Sequence, residues 1–300
     1  MTEAQINNAH PIWIDHSPSR LVRVLKFLAY FASKNPIAVF GAVIILLLIA
    51  TAVAAPWLAP HSYDDISLSE RLQGPSTSHW FGTDETGRDQ LSRIIYGARI
   101  SVLVGFGATL IAIACATLLG VLSGYFGGWF DTILQRFIEV WQSFPGLVFL
   151  IFVVSIFSAS LLTVTLTIGA LFTAGASRII RSSVLSIRGQ AYIESAVVIG
   201  ASRSRIILVH VLPNIIPVII VTASIQIGAV ILTESALAFL GFGVPPPYPS
   251  WGLMLNNSQR FMQAYPYLAV FPGLAISLVV FSFNMLGDGI RDIMDPRFKK

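Results

Sequence analysis

The chain has 300 residues, of which 55% are hydrophobic and only 11% charged, with a formal net charge of +4. Soluble domains carry roughly 25% charged residues, so a water-soluble fold, which would have to hide this much apolar surface, is excluded. The charges crowd into a few segments and leave long runs with none, the pattern of a polytopic membrane protein.

Each long charge-free run is expected to be a helix, because a bilayer core of about 30 Å needs roughly 20 apolar residues and lipid leaves no partner for an unpaired backbone group. After a polar segment at 1–35, the first span runs from Ile37 to Leu58, entered through Asn35-Pro36 and left through Pro56-Trp57. Ala52-Val53-Ala54 resembles a signal-peptide cleavage site, but the apolar run is too long and five more spans follow, so the helix is expected to be retained. Beyond it, Leu91, Ile94, Ile95 and Ala98 recur at helical spacing, which predicts an amphipathic surface helix over Asp89 to Arg99 with Asp89 and Arg93 paired on its wet face. Such a helix serves either an incoming partner protein or the anchoring of the next span.

The second span is Ser101 to Leu122. Between Glu139 and Arg178 no residue is charged, which fits spans three and four joined at Ser158-Ala159-Ser160. The segment 178–213 then reads as two short helices meeting at Gly200. Glu194 lies early in the first, where a carboxylate complements the helix dipole, and Ala196 leaves one face thin. The second helix, Ser202 to Val211, feeds span five (Ile215 to Phe239) through Pro213. Pro245 to Pro249 is expected to be extended, with Trp251 at the membrane interface, and the sixth span is Tyr267 to Leu286.

Fourteen of the nineteen Lys and Arg residues fall on one side of these spans and five on the other, which puts both termini in the cytoplasm. The basic balance is thereby explained without nucleic acid. Cys115, the only cysteine, offers neither disulfide nor metal pair and is expected to pack. The histidines are scattered, His10 and His16 in the N-terminal segment among them, and no metal site is expected. Phosphate-loop, His-Glu-x-x-His and Gly-x-Ser-x-Gly signatures are absent, so neither ATP binding nor hydrolytic chemistry is expected of this chain. Glu139 and Glu234 are the acidic residues in or near the membrane. Glu234 is a candidate for the translocation path or outer gate, against a structural hydrogen bond near the end of span five.

Tyr192-Ile193-Glu194-Ser195-Ala196, Gly200-Ala201 and Leu212-Pro213 resemble the cytoplasmic loop of ATP-binding-cassette importer permeases, departing from that pattern at Ser195 and His210. Asp84, Arg88, Asp89 and Arg93, within Gly82 to Arg99, are similar to the outer loop of the dipeptide, oligopeptide and nickel branch. So are Glu234 to Gly243 with Ser250-Trp251-Gly252, and the ending Gly287-Asp288-Gly289 through Asp295-Pro296. The resemblance covers nearly everything from residue 36 onward.

It implies an all-α integral membrane protein with six transmembrane helices in the type I importer permease (MetI-like) fold. The organisation is then a cytoplasmic tail (1–35), a first helix (36–59), an outer loop with the amphipathic helix (60–100), a five-helix core containing the loop 178–213 (101–290) and a cytoplasmic tail (291–300). The implied function is import of di- or oligopeptides, or of nickel, glutathione or opine solutes, across the bacterial inner membrane. The implied partners are a second homologous permease, two ATPase subunits that bind ATP-Mg, and a periplasmic or lipid-anchored solute-binding protein. The 178–213 loop would couple to the ATPases, and Asp84, Arg88, Asp89 and Arg93 would meet the binding protein. The rival readings are an ion-coupled transporter, which needs intramembrane charges that are scarce here, and a membrane scaffold.

Overall fold

The computed structural model describes residues 32–294. His10, His16, Arg20, Arg23 and Lys26 at one end, and Asp295, Pro296, Arg297, Lys299 and Lys300 at the other, lie outside them. The chain divides into units at 1–36 and 37–300, and the second carries all that follows.

Among the described residues the fold is all-helical, with one isolated bridge between Thr83 and Asp89. Its helices are α1 (Pro36–Leu58), α2 (Gln90–Phe126), α3 (Gly128–Ser143), α4 (Gly146–Phe157), α5 (Leu161–Arg188), α6 (Ala191–Val198), α7 (residues 203–239), α8 (Trp251–Ser258) and α9 (Tyr267–Met294). Five of them, α1, α2, α5, α7 and α9, are long and apolar enough to cross a membrane, and α3 with α4 forms a sixth candidate crossing bent by 85°.

Small residues hold the bundle together. Without a hydrophobic drive between helices in lipid, association depends on close backbone approach. Along α2, Ala108, Ala112, Ala116, Gly120 and Gly124 recur every fourth residue and are buried. They form its seam with α5, the most extensive helix pairing in the molecule. A Cβ on Gly120 would stand 2.7 Å from the Ser177 carbonyl, and one on Gly124 3.0 Å from that of Arg181. In α1, Gly41 approaches α9 in the same way, 2.6 Å from the Ser282 carbonyl by the same measure.

The broken crossing corrects the third span expected from the uncharged interval. Residues 139–143 belong to α3, and α4 has only 12 residues, about 18 Å, too short for a bilayer alone. The break has a covalent cause: Pro145 forces Phe144 into an extended conformation, with ψ of 134°. The join between α4 and α5 falls at Ser158 to Ser160, where Ser160 Oγ accepts from the Thr163 amide at 3.0 Å and caps α5.

The expected surface helix is also corrected. Residues 90–99 are the first turns of α2, which runs unbroken for 37 residues, about 55 Å. Gln90, Ser92, Arg93, Gly97 and Ala98 are buried. Trp251 is likewise interior rather than interfacial: it packs over Gly97 and donates from Nε1 to the Ile94 carbonyl at 3.0 Å. The second short helix expected at 202–211 is continuous with span five. A π-helical stretch at Ile206–Val211 precedes Pro213, and the Leu212 amide reaches back five residues to the Ile207 carbonyl.

Candidate functional site

Three places concentrate polar or exposed groups: the end of the bundle that carries α6, the opposite end formed by residues 59–89, and a cavity between the helices.

Helix α6 is held by its apolar side. Ile193 is 2% exposed and packs with Ile180, Val184, Ile206, Val211 and Ile215 from α5 and α7, with Ala196 and Ala201 against the same cluster. The helix closes on a Schellman motif: the Ala201 amide donates to the Ala196 carbonyl and the Gly200 amide to that of Val197, both at 3.0 Å. Gly200 has φ of +83°, a conformation that side chains with a Cβ adopt at a cost. Ser195 turns its hydroxyl to the Ala191 carbonyl at 2.8 Å, so its departure from alanine leaves the helix intact.

The opposite face is bare. Tyr192, Glu194 and Ser195 are exposed, and the apolar Val198 and Ile199 are 87% and 84% exposed, with Val197 beside them. Arg203 and Arg205 stand exposed at the next helix start. Leu212 and Pro213 sit at the π-helical junction, Pro213 exposed and Leu212 partly buried. The motif in the sequence names the loop but not Val197 to Ile199, whose signal is a three-residue apolar run directly before Gly200.

At the other end the polar residues turn inward. Asp84 Oδ1 accepts from the amides of Thr86 (2.8 Å) and Arg88 (3.0 Å), and its Oδ2 accepts from Arg88 Nε at 2.7 Å and lies 3.5 Å from Arg93 Nε. Asp89 caps α2 through the Ser92 amide at 2.7 Å and bonds His79 Nδ1 at 2.9 Å. Arg93 donates to the Tyr63 carbonyl at 3.1 Å. The anticipated Asp89–Arg93 pair is therefore absent. Asp84, Asp89 and Arg93 are all buried, so none of the three offers a surface to a binding protein; of the four, only Arg88 keeps an edge at the surface. Tyr267 of α9 ties this segment down by donating to the carbonyls of Gln73 (2.8 Å) and Thr83 (3.2 Å).

The cavity, about 1190 Å³, lies among α3, α4, α5, α7 and α9. Its wall is chiefly apolar, with Trp141, Phe172 and Val221, and its polar groups include Gln142, Thr222, Gln226 and the charged Arg291. Gln226 is 8% exposed and its Nε2 has no hydrogen-bond partner within the described residues. Glu234 lies on the same helix but does not line this cavity. It is fully buried on a helix whose Val230, Ile231 and Leu237 are buried too; its Oε2 accepts from Ser235 Oγ at 3.4 Å and its Oε1 has no partner among the described residues. The path or gate role considered for Glu234 is thus not supported by its position. Glu139 is half-exposed and pairs with Arg136 at 2.8 Å.

Residues 116–300 match the family described as the binding-protein-dependent transport system inner membrane component, and residues 32–75 match the N-terminal transmembrane domain of oligopeptide transport permease C. The chain belongs to this permease family. It is 43% identical over 266 residues to a dipeptide transport system permease protein, DppC, of Alkalihalophilus pseudofirmus, covering 89% of this chain and 88% of that one. It is 38% identical to the oligopeptide transport system permease protein OppC of Haemophilus influenzae (88% and 86% covered) and 40% to the glutathione transport system permease protein GsiD of Pectobacterium atrosepticum (89% of each). In fold it resembles a chain of the MetNI methionine ABC transporter in inward-facing conformations, with a TM-score of 0.57 at 15% identity, covering 68% of this chain and 96% of that one. The permease is thus a multi-pass, non-enzymatic transport subunit of an ABC system.

Proposed function

We propose that this permease imports di- or oligopeptides, or solutes of similar size such as glutathione, and that α6 is the surface through which two partner ATPases drive it. The observation that carries this reading is the bare apolar tip of Val197, Val198 and Ile199 on a helix locked to the bundle through Ile193. An exposed apolar patch on a rigid mount costs solvation unless a partner covers it. The names of the relatives supply the solute class.

The excess of Lys and Arg on the α6 side makes that side cytoplasmic, with both termini on it, in the bacterial inner membrane. ATP-Mg is bound by the partner subunits, and this chain contributes no cofactor site for it. A second homologous permease closes the cavity between the helices, and a solute-binding protein, periplasmic or lipid-anchored, delivers cargo at the 59–89 end. Closure of the ATPases on ATP pushes α6. Because Ile193, Ala196 and Ala201 pack on α5 and α7, the push reaches the helices that wall the cavity, and access alternates between the two sides. The wall is chiefly apolar, with a few amide and hydroxyl groups and the guanidinium of Arg291, which can meet the carbonyl or carboxylate groups of a peptide.

Affinity purification of the tagged chain from native membranes in mild detergent tests this. Recovery of a homologous permease and two cassette ATPases, lost with Gly200→Leu or Glu194→Ala while the chain still inserts, is expected. Unchanged uptake and assembly in both variants, or a chain that purifies alone without ATPase activity, would overturn it.

A further inference from the structure

We infer that His61, His79 and Asp89 form a binding site for one divalent transition-metal ion that staples the 59–89 segment to the start of α2. The three residues are separated by 18 and 10 positions in sequence, yet each offers a ligand atom and these atoms lie within 4.8 Å of one another. Asp89 Oδ1 is the common point: His79 Nδ1 stands 2.9 Å from it and His61 Nδ1 3.8 Å from it, the two rings being 4.7 Å apart. A hydrogen bond accounts for the His79 contact. It does not account for a second imidazole turned to the same oxygen at a distance too long for such a bond.

An ion accounts for both. Bonds of about 2.1 Å to nitrogen and oxygen in tetrahedral geometry place donors about 3.4 Å apart, so the two separations from Asp89 need to change by only about half an ångström in opposite directions, and the one between the imidazoles, within 4.8 Å, closes by a turn of the half-exposed His61 ring. The surroundings are those of a ligand set held from behind. Asp89 Oδ2 is fixed by the Ser92 amide and hydroxyl, both at 2.7 Å, which leaves Oδ1 directed at the imidazoles. The far nitrogen of His79, Nε2, lies 3.7 Å from Glu70 Oε2, the kind of carboxylate that orients a ligating histidine. The main chain at His61 donates to Ser92 Oγ at 3.1 Å, so the ligand on the loop is tied to the same residue that orients Asp89.

His79 and Asp89 are buried, whereas the His61 side chain is 40% exposed. An ion can therefore reach the site from that side, and a water completes the fourth position. Two imidazoles and one carboxylate suit zinc and its neighbours rather than magnesium or calcium, which favour oxygen ligands alone. The ion joins the end of α1, the loop and the helix cap of α2 at one point.

The test uses the assembled permease complex, purified with a tag free of histidine and stripped with chelator, then titrated with Zn²⁺ by calorimetry. One saturable site per permease is expected, weakened at least about tenfold in His61→Gln and His79→Gln. Bound Zn²⁺ should raise the unfolding midpoint of the native complex and not that of His61→Gln. His61→Gln keeps the His79–Asp89 bond and so remains folded if His79→Gln does not. Zn²⁺ binding that is undetectable, or equal in native and His61→Gln complexes, would overturn the site and leave a hydrogen-bonded structural cluster.

Discussion

The two ends of the bundle treat their polar and apolar residues in opposite ways. At the 59–89 end, Asp84, Asp89 and Arg93 are drawn inside and satisfied by neighbouring backbone and side chains, and Tyr267 seals the segment onto α9. At the α6 end, apolar Val198 and Ile199 are pushed out while Glu194 and the arginines remain in solvent. The first end satisfies its charged groups internally; the second leaves apolar side chains uncovered. Charged residues in a conspicuous motif are here turned into the fold, while the most exposed apolar side chains of the α6 end look unremarkable in sequence.

Substitutions separate the two ends, and the largest effect belongs to the self-sufficient one. Asp84→Ala leaves the buried Arg93 without its carboxylate and removes the acceptor for two backbone amides. A loss of about 3–5 kcal/mol in stability is expected, seen as a lower unfolding midpoint and reduced accumulation in the membrane. A midpoint equal to that of the native protein would show that the inward-turned network is dispensable.

The paired replacement Val198→Ser with Ile199→Ser should do the reverse. Stability of the isolated permease stays within about 0.5 kcal/mol, because both side chains already face solvent. ATPase binding, measured by co-purification or titration, weakens by about 3 kcal/mol, on the order of a hundredfold, if both are covered in the complex. Full affinity in this variant would end the contrast.

Gly200→Ala tests the mount rather than the tip. Placing a Cβ at φ of +83° costs about 1–2 kcal/mol and loosens the Schellman closure of α6, although nothing stands within 4 Å of the added atom. ATP hydrolysis and solute uptake, measured together, should then part company: hydrolysis continues while uptake falls. The smallest effect is expected of Ser195→Ala, which removes a hydroxyl bonded only to its own helix. Assembly and unfolding midpoint should move by less than about 0.5 kcal/mol.

Much of the fold was legible because the bilayer makes it so. Long charge-free runs gave α1, α2, α5, α7 and α9, and the punctuation at Ser158 to Ser160 and at Gly200 marked real helix ends. What was misjudged shares a cause. The helical spacing of Leu91, Ile94, Ile95 and Ala98 reveals an apolar stripe, and it cannot say whether the remaining face meets water or a folded loop. Arg93 and Trp251 were assigned to surfaces on their chemistry, whereas long-range contacts to Tyr63 and Ile94 decided their burial. For Glu234 the sequence left a path contact and a structural role both open; the cavity is lined by Gln226 of the same helix and not by Glu234.

The amino-acid sequence alone determined that this chain spans a membrane as helices and where several of them end, since hydropathy, proline and glycine act locally through solvation and backbone sterics. Tertiary structure alone decided which polar groups are shared inside the fold, which apolar ones stay exposed, and that His61, His79 and Asp89 converge. Those outcomes depend on residues far apart in the chain being brought within a few ångströms, a distance that no local pattern encodes.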